Sequence, residues 1–517
     1  MLVPLLIHPP VSKPCEPPAG IAKLGGALKH HGMEFRVWDA NLEGLLNFLT
    51  YPPPSLDTWT SRAFRHLPDH LHLLRSWEGY ENQDHYGRAI HDLNRLLERT
   101  ARLRLVHLSL TNYEHETLSP VRSRDLLWAA EHFEENPFYP HFRKRLTELL
   151  EKDPPSLIGL SLNYLSQALC TFAMIGFLKR EWPHLPLVLG GGLVTSWMKK
   201  PHWQNPFKGL VDDCVAGPGE EALLSLMGVR EVEGLPYTPN YDSFPLKDYL
   251  APGFILPYSA SSGCYWNRCS FCPERAEGNP YLSIPIDEVL RHLLRLVERH
   301  QPVLIHFLDN AIHPSLLKAI CKDPPGAPWY GFVRITRHLT DPDFCLALKR
   351  SGCVMLKLGL ESGDQTVLDD LQKGIDLKEA SSALRNLKKA GIATYVYLLF
   401  GTPSEDLTRA RKTLAFVVNQ HDCIDFLNLA IFNMPTHGPE ACQMEANPFY
   451  EGDLSLYTCF RHPGGWSRSS VRRFLDREFK KHPAVAPILR RDPPVFTSNH
   501  APLFNMKVSG LPRSIHD

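Results

Sequence analysis

Six short apolar runs, separated by helical patterns, fill the middle of this 517-residue chain. The runs lie at 254–260, 303–309, 329–335, 354–360, 394–400 and 423–432. Between them, stretches such as IDEVLRHLLRLVERH place apolar residues three and four positions apart, which is typical of an amphipathic helix. Strands that alternate with helices pair in parallel, because each helix carries the chain back across the sheet. The region 250–435 therefore predicts six β/α units in a partial or closed parallel barrel, followed by a C-terminal extension over 436–517.

The first 235 residues contain a separate series of strands and helices. Apolar runs occur in LLIHP at the N-terminus, in EFRVWDAN, and again at 155–164, 185–192 and 211–216. Helical patterns separate them, and this alternation predicts an α/β unit with a doubly wound parallel sheet. Several further helical patterns at about 44–154 predict a helical insertion within this first domain.

The charge and the N-terminus of the chain exclude some classes of protein. Acidic and basic residues balance at 56 each, so no general attraction to nucleic acid or to an anionic membrane is expected. The N-terminal apolar run MLVPLLI is followed by two prolines and is too short for a signal peptide or a membrane span. These features predict a cytoplasmic protein.

Three of the twelve cysteines lie within nine residues of each other, in the segment SGCYWNRCSFCPE. Cys264, Cys269 and Cys272 directly follow the first strand of the predicted barrel, which is the end where barrel enzymes carry their active sites. A structural zinc ion needs four protein ligands, and no nearby residue supplies a fourth. A 4Fe–4S cluster held by three cysteines keeps one iron atom open for another ligand. The other cysteines, including Cys321, Cys345 and Cys442, are expected to take no part in such a cluster.

The cysteine segment resembles that of the radical S-adenosylmethionine (radical SAM) enzymes. The commonest spacing in that family has three and then two intervening residues, whereas this chain has four and then two; the aromatic Phe271 before the last cysteine matches the family pattern. Three further segments are similar to the second-, fourth- and fifth-strand segments of the family: FLDN (307–310), GLESGDQTVLDDLQKGI (359–375) and YLLFGTPSED (397–406). The resemblance covers roughly 250–435.

The resemblance implies a mechanism and a set of cofactor-binding residues. The three thiolates would hold a 4Fe–4S cluster whose open iron binds S-adenosylmethionine, and one-electron reduction from a donor such as flavodoxin or ferredoxin would yield a 5′-deoxyadenosyl radical. Residues expected to bind the cofactor in this domain are Phe271, Asp309, Arg334, Glu361 and Ser362. For Arg334, two partners remain open: the carboxylate of S-adenosylmethionine, or the side chain of Glu361.

The N-terminal domain resembles the cobalamin-binding domain of one group of radical SAM enzymes. The similar segments are 17–41, 157–167, 187–192 and 215–223. The residues expected to contact cobalamin lie in three strand-end loops: Asn163, Gly190, Gly191, Gly192, Gly217, Gly219 and Glu220. The motif Asp-x-His-x-x-Gly, whose histidine ligates cobalt in many cobalamin proteins, does not occur in the sequence.

These resemblances together imply a cobalamin-dependent methyltransferase that acts on a carbon atom of its substrate. Two alternatives stay open at this point. One is a radical SAM oxidoreductase or rearrangement enzyme whose first domain binds no cobalamin. The other is a scaffold or binding protein stabilised by zinc and without catalysis. Iron, sulfide, zinc and cobalamin contents distinguish the three.

Overall fold

The computed structural model describes residues 3–53, 57–230, 236–436, 438, 446–448 and 452–493. The chain forms two compact units. The first comprises the described residues up to Phe254 together with 452–456, and the second begins at Ile255. No helix in these described residues is long and apolar enough to cross a membrane.

The first unit is built on a five-stranded parallel sheet. The strands of this unit are β1 (Leu5–His8), β2 (Arg36–Asp39), β3 (Val106–Leu108), β4 (Tyr113–His115), β5 (Ile158–Ser161), β6 (Leu187–Gly190) and β7 (Asp213–Cys214). In the sheet the order is β2-β1-β5-β6-β7, with all neighbours parallel, so the winding direction reverses between β1 and β5. This is the predicted doubly wound arrangement, and the carboxyl ends of its strands are where such folds bind ligands.

Helices make up most of the remaining described residues in this unit. They are α1 (Ala19–His30), α2 (Ala40–Thr50), α3 (Thr58–Arg65), α4 (Leu67–Leu74), α5 (Glu78–Glu81), α6 (Gln83–Ala101), α7 (Ser123–Glu131), α8 (Tyr139–Lys152), α9 (Leu165–Glu181), α10 (Gly192–Met198) and α11 (Glu220–Leu226). The segment 44–154 is mainly helical, but it also contains the antiparallel hairpin β3–β4, which the sequence did not indicate. Strands of three residues are too short to show a period-two pattern.

The second unit is built on a six-stranded parallel sheet. The strands of this unit are β8 (Ile255–Tyr258), β9 (Ser261–Ser262), β10 (Leu282–Ser283), β11 (Leu304–Phe307), β12 (Trp329–Val333), β13 (Cys353–Glu361), β14 (Ala393–Phe400), β15 (Phe426–Ile431), β16 (Met434–Pro435), β17 (Ala446–Pro448) and β18 (Tyr457–Phe460). The large sheet has the order β15-β14-β13-β12-β11-β8, so the six predicted strands pair in sequence order and β8 and β15 lie at the two edges. The partial-barrel prediction is thus confirmed.

Helices connect these strands along the chain or follow the last of them. They are α12 (Pro273–Ala276), α13 (Ile286–His300), α14 (Pro314–Lys322), α15 (Pro342–Arg350), α16 (Gln365–Asp370), α17 (Leu377–Ala390), α18 (Leu407–Asn419), α19 (Arg468–Phe474) and α20 (Ala486–Arg490). The predicted last strand, 423–432, begins only at Phe426, because His421–Cys423 forms a turn of 3-10 helix.

One face of the central strands carries polar and aromatic side chains. The imidazole of His306 on β11 stacks on the ring of Tyr330 on β12, with centroids 4.4 Å apart. The Nζ of Lys357 on β13 lies 3.1 Å from the Nε2 of His306. Since alternate residues of a strand share a face, the same rows lead from Tyr330 to Arg334, just beyond the end of β12, and from Lys357 to Glu361. These two charged residues stand at the carboxyl end of the sheet.

Candidate functional site

The cysteine loop, residues 263–273, follows β8 and β9 at the carboxyl end of the parallel sheet. Cys264, Cys269 and Cys272 carry free thiols; Cys269 is buried and the other two are half-buried. The loop begins at Gly263, whose φ is +71°; a Cβ there would lie 2.3 Å from the Pro280 oxygen, so only glycine fits. Among the described residues, no three His, Cys, Asp or Glu side chains are grouped so that they could share one metal ion.

Positive charges lie near the Cys269 thiol, and backbone N–H groups lie near the Cys272 thiol. Burial raises the pKa of the Cys269 thiol, while the positive charges of Lys373 and Arg334 act in the opposite direction. The Nη1 of Arg334 donates to the Cys269 Sγ at 3.9 Å. Burial also raises the pKa of Cys272, opposed by hydrogen bonds from the backbone N–H groups of Arg275 and Glu274. A donor set of three thiols on one loop, with cations beside it, fits an anionic iron–sulfur cluster.

Glu361 ends β13 in an ion pair that sequence reasoning missed. Its Oε1 accepts a hydrogen bond from the Nζ of Lys373 at 2.7 Å, and both side chains are about one-tenth exposed. The pair lies across Gly359, where a Cβ would come 2.7 Å from the Glu361 Oε1 and 2.8 Å from the Lys373 Nζ. Glycine at 359 is therefore what makes room for the pair, and Glu361 itself has a φ of +68°.

Arg334 does not pair with Glu361, so that sequence alternative is wrong. Its guanidinium donates to the backbone oxygen of Lys373 as well as to Cys269, and it lies over the ring of Trp266, 4.1 Å from the centroid. The physical reason is that Lys373 already neutralises Glu361. Arg334 is therefore directed at the cysteine loop. Binding of the S-adenosylmethionine carboxylate by Arg334 stays a prediction.

The other predicted cofactor contacts of this unit lie around the same strand ends. Ser362 is fully buried, and its hydroxyl bonds with the Thr413 hydroxyl and the backbone N–H of Asp364. Asp309 accepts hydrogen bonds from the backbone N–H of Ala260 and the hydroxyl of Ser261, which joins the ends of β8 and β11. The ring of Phe271 lies 5.4 Å from the Lys373 Nζ. Their contacts support the site's framework, and their roles in cofactor binding stay predictions.

In the first unit, the three predicted loops lie together at the carboxyl ends of β5, β6 and β7. The Oδ1 of Asn163 accepts a hydrogen bond from the Gly192 N–H at 3.0 Å. The backbone N–H of Gly217 donates to the Thr195 hydroxyl at 2.9 Å. Tyr164, the residue after Asn163, exposes 54% of its surface. The predicted residues Gly190, Gly219 and Glu220 belong to these same connected loops.

Two glycines of these loops have different roles. Gly191 has a φ of +111°, and a Cβ there would lie 2.4 Å from the Leu162 oxygen. At Gly217, with a φ of +76°, a Cβ would meet no atom within 4 Å. The first glycine is required by the fold, and the second leaves open space beside bare backbone. At Gly217 a ligand can approach the backbone without meeting another side chain.

Part of the chain matches a family model. Residues 258–417 match the model of the radical SAM superfamily. An uncharacterised methyltransferase from Pyrococcus horikoshii is 25% identical over 198 residues, which are 36% of this chain and 42% of that protein. A bacteriochlorophyllide d C-12(1)-methyltransferase from Chlorobaculum tepidum is 25% identical over 228 residues, 41% of this chain and 46% of that protein. The chain thus spans less than half the length of these relatives.

Two solved structures share the fold across most of this chain. The radical S-adenosylmethionine methyltransferase TsrM from Kitasatospora setae, with cobalamin and a 4Fe–4S cluster bound, aligns with a TM-score of 0.52 and 15% identity, over 87% of this chain and 78% of its own. The cobalamin-dependent radical enzyme OxsB aligns with a TM-score of 0.50 and 13% identity, over 83% of this chain and 53% of its own. At these identities the likeness shows the fold.

Proposed function

Because residues 258–417 of this chain are a radical SAM domain, we propose that the protein is a radical SAM enzyme that uses cobalamin to transfer a methyl group to a carbon atom. The observation that carries the proposal is the three-cysteine loop at the carboxyl end of the parallel sheet. The doubly wound sheet of the first unit, with its open glycine loops, supports the cobalamin part. The shared fold with TsrM and OxsB supports both parts together.

The chain's own residues would bind and orient the reactants. A bound 4Fe–4S cluster supplies the electron that cleaves S-adenosylmethionine, and bound cobalamin supplies a transferable methyl group. Cys264, Cys269 and Cys272 would hold the cluster as thiolates, and the Arg334 guanidinium would offset their negative charge. The positive charge of Lys373 acts on the Cys269 thiol as well.

The Glu361–Lys373 pair presents both charge signs that an amino acid moiety requires. The carboxylate of Glu361 is suited to the ammonium group of S-adenosylmethionine, and the ammonium of Lys373 or the guanidinium of Arg334 to its carboxylate. Gly359 keeps the wall beside this pair free of a side chain. In the first unit, Asn163, Gly190–Gly192 and Gly217–Glu220 would line the cobalamin surface.

The reducing partner is proposed on the same basis. The superfamily requires a one-electron donor, and we propose a cytoplasmic flavodoxin or ferredoxin for this chain. The alternative in which the first unit binds no cobalamin remains a distinct outcome of the test below. The second alternative, a zinc-stabilised scaffold without catalysis, is also an outcome that this test distinguishes.

The test is cleavage of S-adenosylmethionine by anaerobically reconstituted protein supplied with dithionite and hydroxocobalamin. We expect formation of S-adenosylmethionine cleavage products by mass spectrometry, with stoichiometric cobalamin retained after desalting. Cys264→Ala, Cys269→Ala and Cys272→Ala should each reduce cleavage to background, because each removes a cluster ligand. The matched control is Cys321→Ala, a half-buried cysteine on α14, which should cleave like the wild type.

Two results would contradict the proposal. Retained cleavage in any one of the three ligand variants would refute the ligand assignment. Zinc in place of iron and sulfide would refute the enzymatic function altogether. Cleavage without retained cobalamin would instead favour the radical SAM oxidoreductase or rearrangement enzyme.

A further inference from the structure

Trp266 lies between the first two cysteines, and its side chain packs against residues outside the cysteine loop. The indole Nε1 of Trp266 donates to the backbone oxygen of Gln372 at 3.0 Å. The indole ring packs closely against Gly374: a Cβ at this position would lie 2.3 Å from a ring carbon. Gly374 also has a φ of +64°, so glycine at this position serves both the turn and the ring.

The segment that receives Trp266 holds the cysteine loop at several further points. We name residues Leu371, Gln372, Lys373 and Gly374 the 371–374 turn. Three successive backbone oxygens of this turn accept hydrogen bonds from the site: that of Leu371 from the Ser270 N–H, that of Gln372 from Trp266, and that of Lys373 from Arg334. The Arg275 guanidinium adds a contact to the Gln372 side-chain oxygen at 3.4 Å. The turn therefore contacts the loop on both sides of Cys269.

Trp266 also fixes the cation that faces the buried thiol. The Arg334 guanidinium lies between the indole ring, 4.1 Å from its centroid, and the Cys269 Sγ, 3.9 Å from the Nη1. A guanidinium stacked on an aromatic face and bonded to a backbone oxygen has little freedom to turn away. The position of this positive charge thus depends on Trp266.

We propose that Trp266 and the 371–374 turn form a clamp that holds the cysteine loop in one fixed conformation before any cluster binds. Trp266 is then a positioning residue, acting on the cluster through Arg334 and the loop backbone. Asn267, directly after Trp266, has a positive φ of +41°. The four-residue interval between the first two cysteines supplies the length for Trp266 to turn outward and for the chain to return to Cys269. The cluster part of this inference rests on the proposed function, while the clamp itself does not.

The clamp also joins the cysteine loop to the charged pair on β13. Lys373 belongs to the turn, and its Nζ holds Glu361 at 2.7 Å. A displacement of the turn would move the Lys373 ammonium and the loop together. The 371–374 turn therefore supports both parts of the site. It holds the cysteine loop, which would bind the cluster, and the Glu361–Lys373 pair, which would bind S-adenosylmethionine.

The first experiment uses the full-length protein without a cluster. Amide hydrogen exchange is followed by mass spectrometry in peptides that cover 264–272. Trp266→Ala should speed exchange in these peptides about tenfold, since it removes a hydrogen bond and an aromatic–cation contact. Trp266→Phe keeps a ring over Arg334 but loses the indole N–H, so an increase of about threefold is expected. The control is Trp128→Ala, which removes a half-buried indole stacked on His132 in the other unit and should leave these peptides unchanged.

The second experiment uses cluster-loaded protein and a chelator. Loss of the cluster should be about tenfold faster in Trp266→Ala than in the wild type, and Trp266→Phe should fall between them. The SAM-induced change in the electron paramagnetic resonance (EPR) spectrum should weaken in the same order. This spectroscopic readout separates positioning of the cluster from mere stability of the fold.

The outcomes distinguish the clamp from the proposed function. Unchanged exchange over 264–272 in folded Trp266→Ala overturns the clamp, even if the wild type holds a cluster. Where Trp266→Ala does not fold, unchanged exchange in Trp266→Phe overturns it in the same way. Wild-type protein that holds no cluster contradicts the proposed function, and the exchange experiment then still decides on the clamp.

Discussion

The carboxyl ends of the two parallel sheets differ in the groups that shape them. At the carboxyl end of the six-stranded sheet, charged side chains make the main contacts: Lys373 bonds to Glu361, and Arg334 bonds to the buried thiol of Cys269. At the carboxyl ends of β5, β6 and β7, the loops are shaped mainly by backbone and by glycines such as Gly191. The first site should respond to changes of charge, and the second to added bulk. The following predictions test this contrast.

Breaking the Glu361–Lys373 pair should produce the largest loss of stability. Lys373→Met leaves a mostly buried carboxylate without its cation, so the free energy of unfolding should fall by about 3 kcal/mol. The double variant Lys373→Met/Glu361→Gln should lose clearly less than this, because no buried charge is left unpaired. Urea unfolding of the protein without cofactors provides the measurement.

An exposed ion pair provides the control for that experiment. The Arg337 Nε lies 3.0 Å from the Glu379 Oε1, but Arg337 is 88% exposed. Arg337→Met should therefore cost less than about 1 kcal/mol. Equal losses in Lys373→Met and Arg337→Met would mean that the charged pair on β13 is only a surface contact.

Added bulk at the glycine loops should act on cobalamin binding. Gly191→Ala places a methyl group 2.4 Å from the Leu162 oxygen at a φ of +111°, so the loop must shift. We expect cobalamin affinity, measured by absorbance titration, to fall about tenfold, because the strain of such a conformation is of order 1–3 kcal/mol. Gly209→Ala has a similar positive φ of +85° with no atom within 4 Å, and it should bind like the wild type. Equal affinities in both variants would argue against binding at these loops.

A separate effect concerns a buried carboxyl group after β14. Burial raises the pKa of Glu405 to about 7, although hydrogen bonds from the Gly401 N–H and the Trp466 indole act in the opposite direction. Between the ordinary glutamate pKa of 4.5 and about 7, the folded state binds more protons than the unfolded state, so stability falls as the pH rises through this range. The loss should total roughly 3 kcal/mol and level off above pH 7.

Glu405→Gln isolates this contribution. The variant should show a flatter dependence of unfolding free energy on pH between 4.5 and 7, because its amide does not titrate. Thermal or urea unfolding at a series of pH values provides the comparison with the wild type. The same slope in both proteins would show that another group titrates.

The sequence predicted the features that depend on local pattern. The six apolar runs became β8, β11, β12, β13, β14 and β15 in the expected order, because period and length are enough to identify buried parallel strands. Cys264, Cys269 and Cys272 could be chosen as candidate ligands because spacing is itself a local property, and their role as ligands stays a prediction. The strand-end position of Glu361 followed from the run before it.

What the sequence did not predict depends on contacts between distant residues. Lys373 pairs with Glu361 across twelve positions, and Glu361 and Gln372 both adopt positive φ values, which no residue preference indicates. The docking of Trp266 on Gly374 joins residues more than one hundred positions apart. The signals present in the sequence were a lysine and a glycine in GLESGDQTVLDDLQKGI and a tryptophan two residues after a cysteine. Each of these has meaning only once the turn is folded.

The most direct test of the central proposal is the EPR spectrum of anaerobically reconstituted, dithionite-reduced protein with and without S-adenosylmethionine. We predict a 4Fe–4S signal in the reduced protein, because three thiolates on one loop would hold such a cluster. We further predict that S-adenosylmethionine changes this signal, since three cysteines leave one iron atom open. A protein that gives no cluster signal and contains zinc would contradict the account.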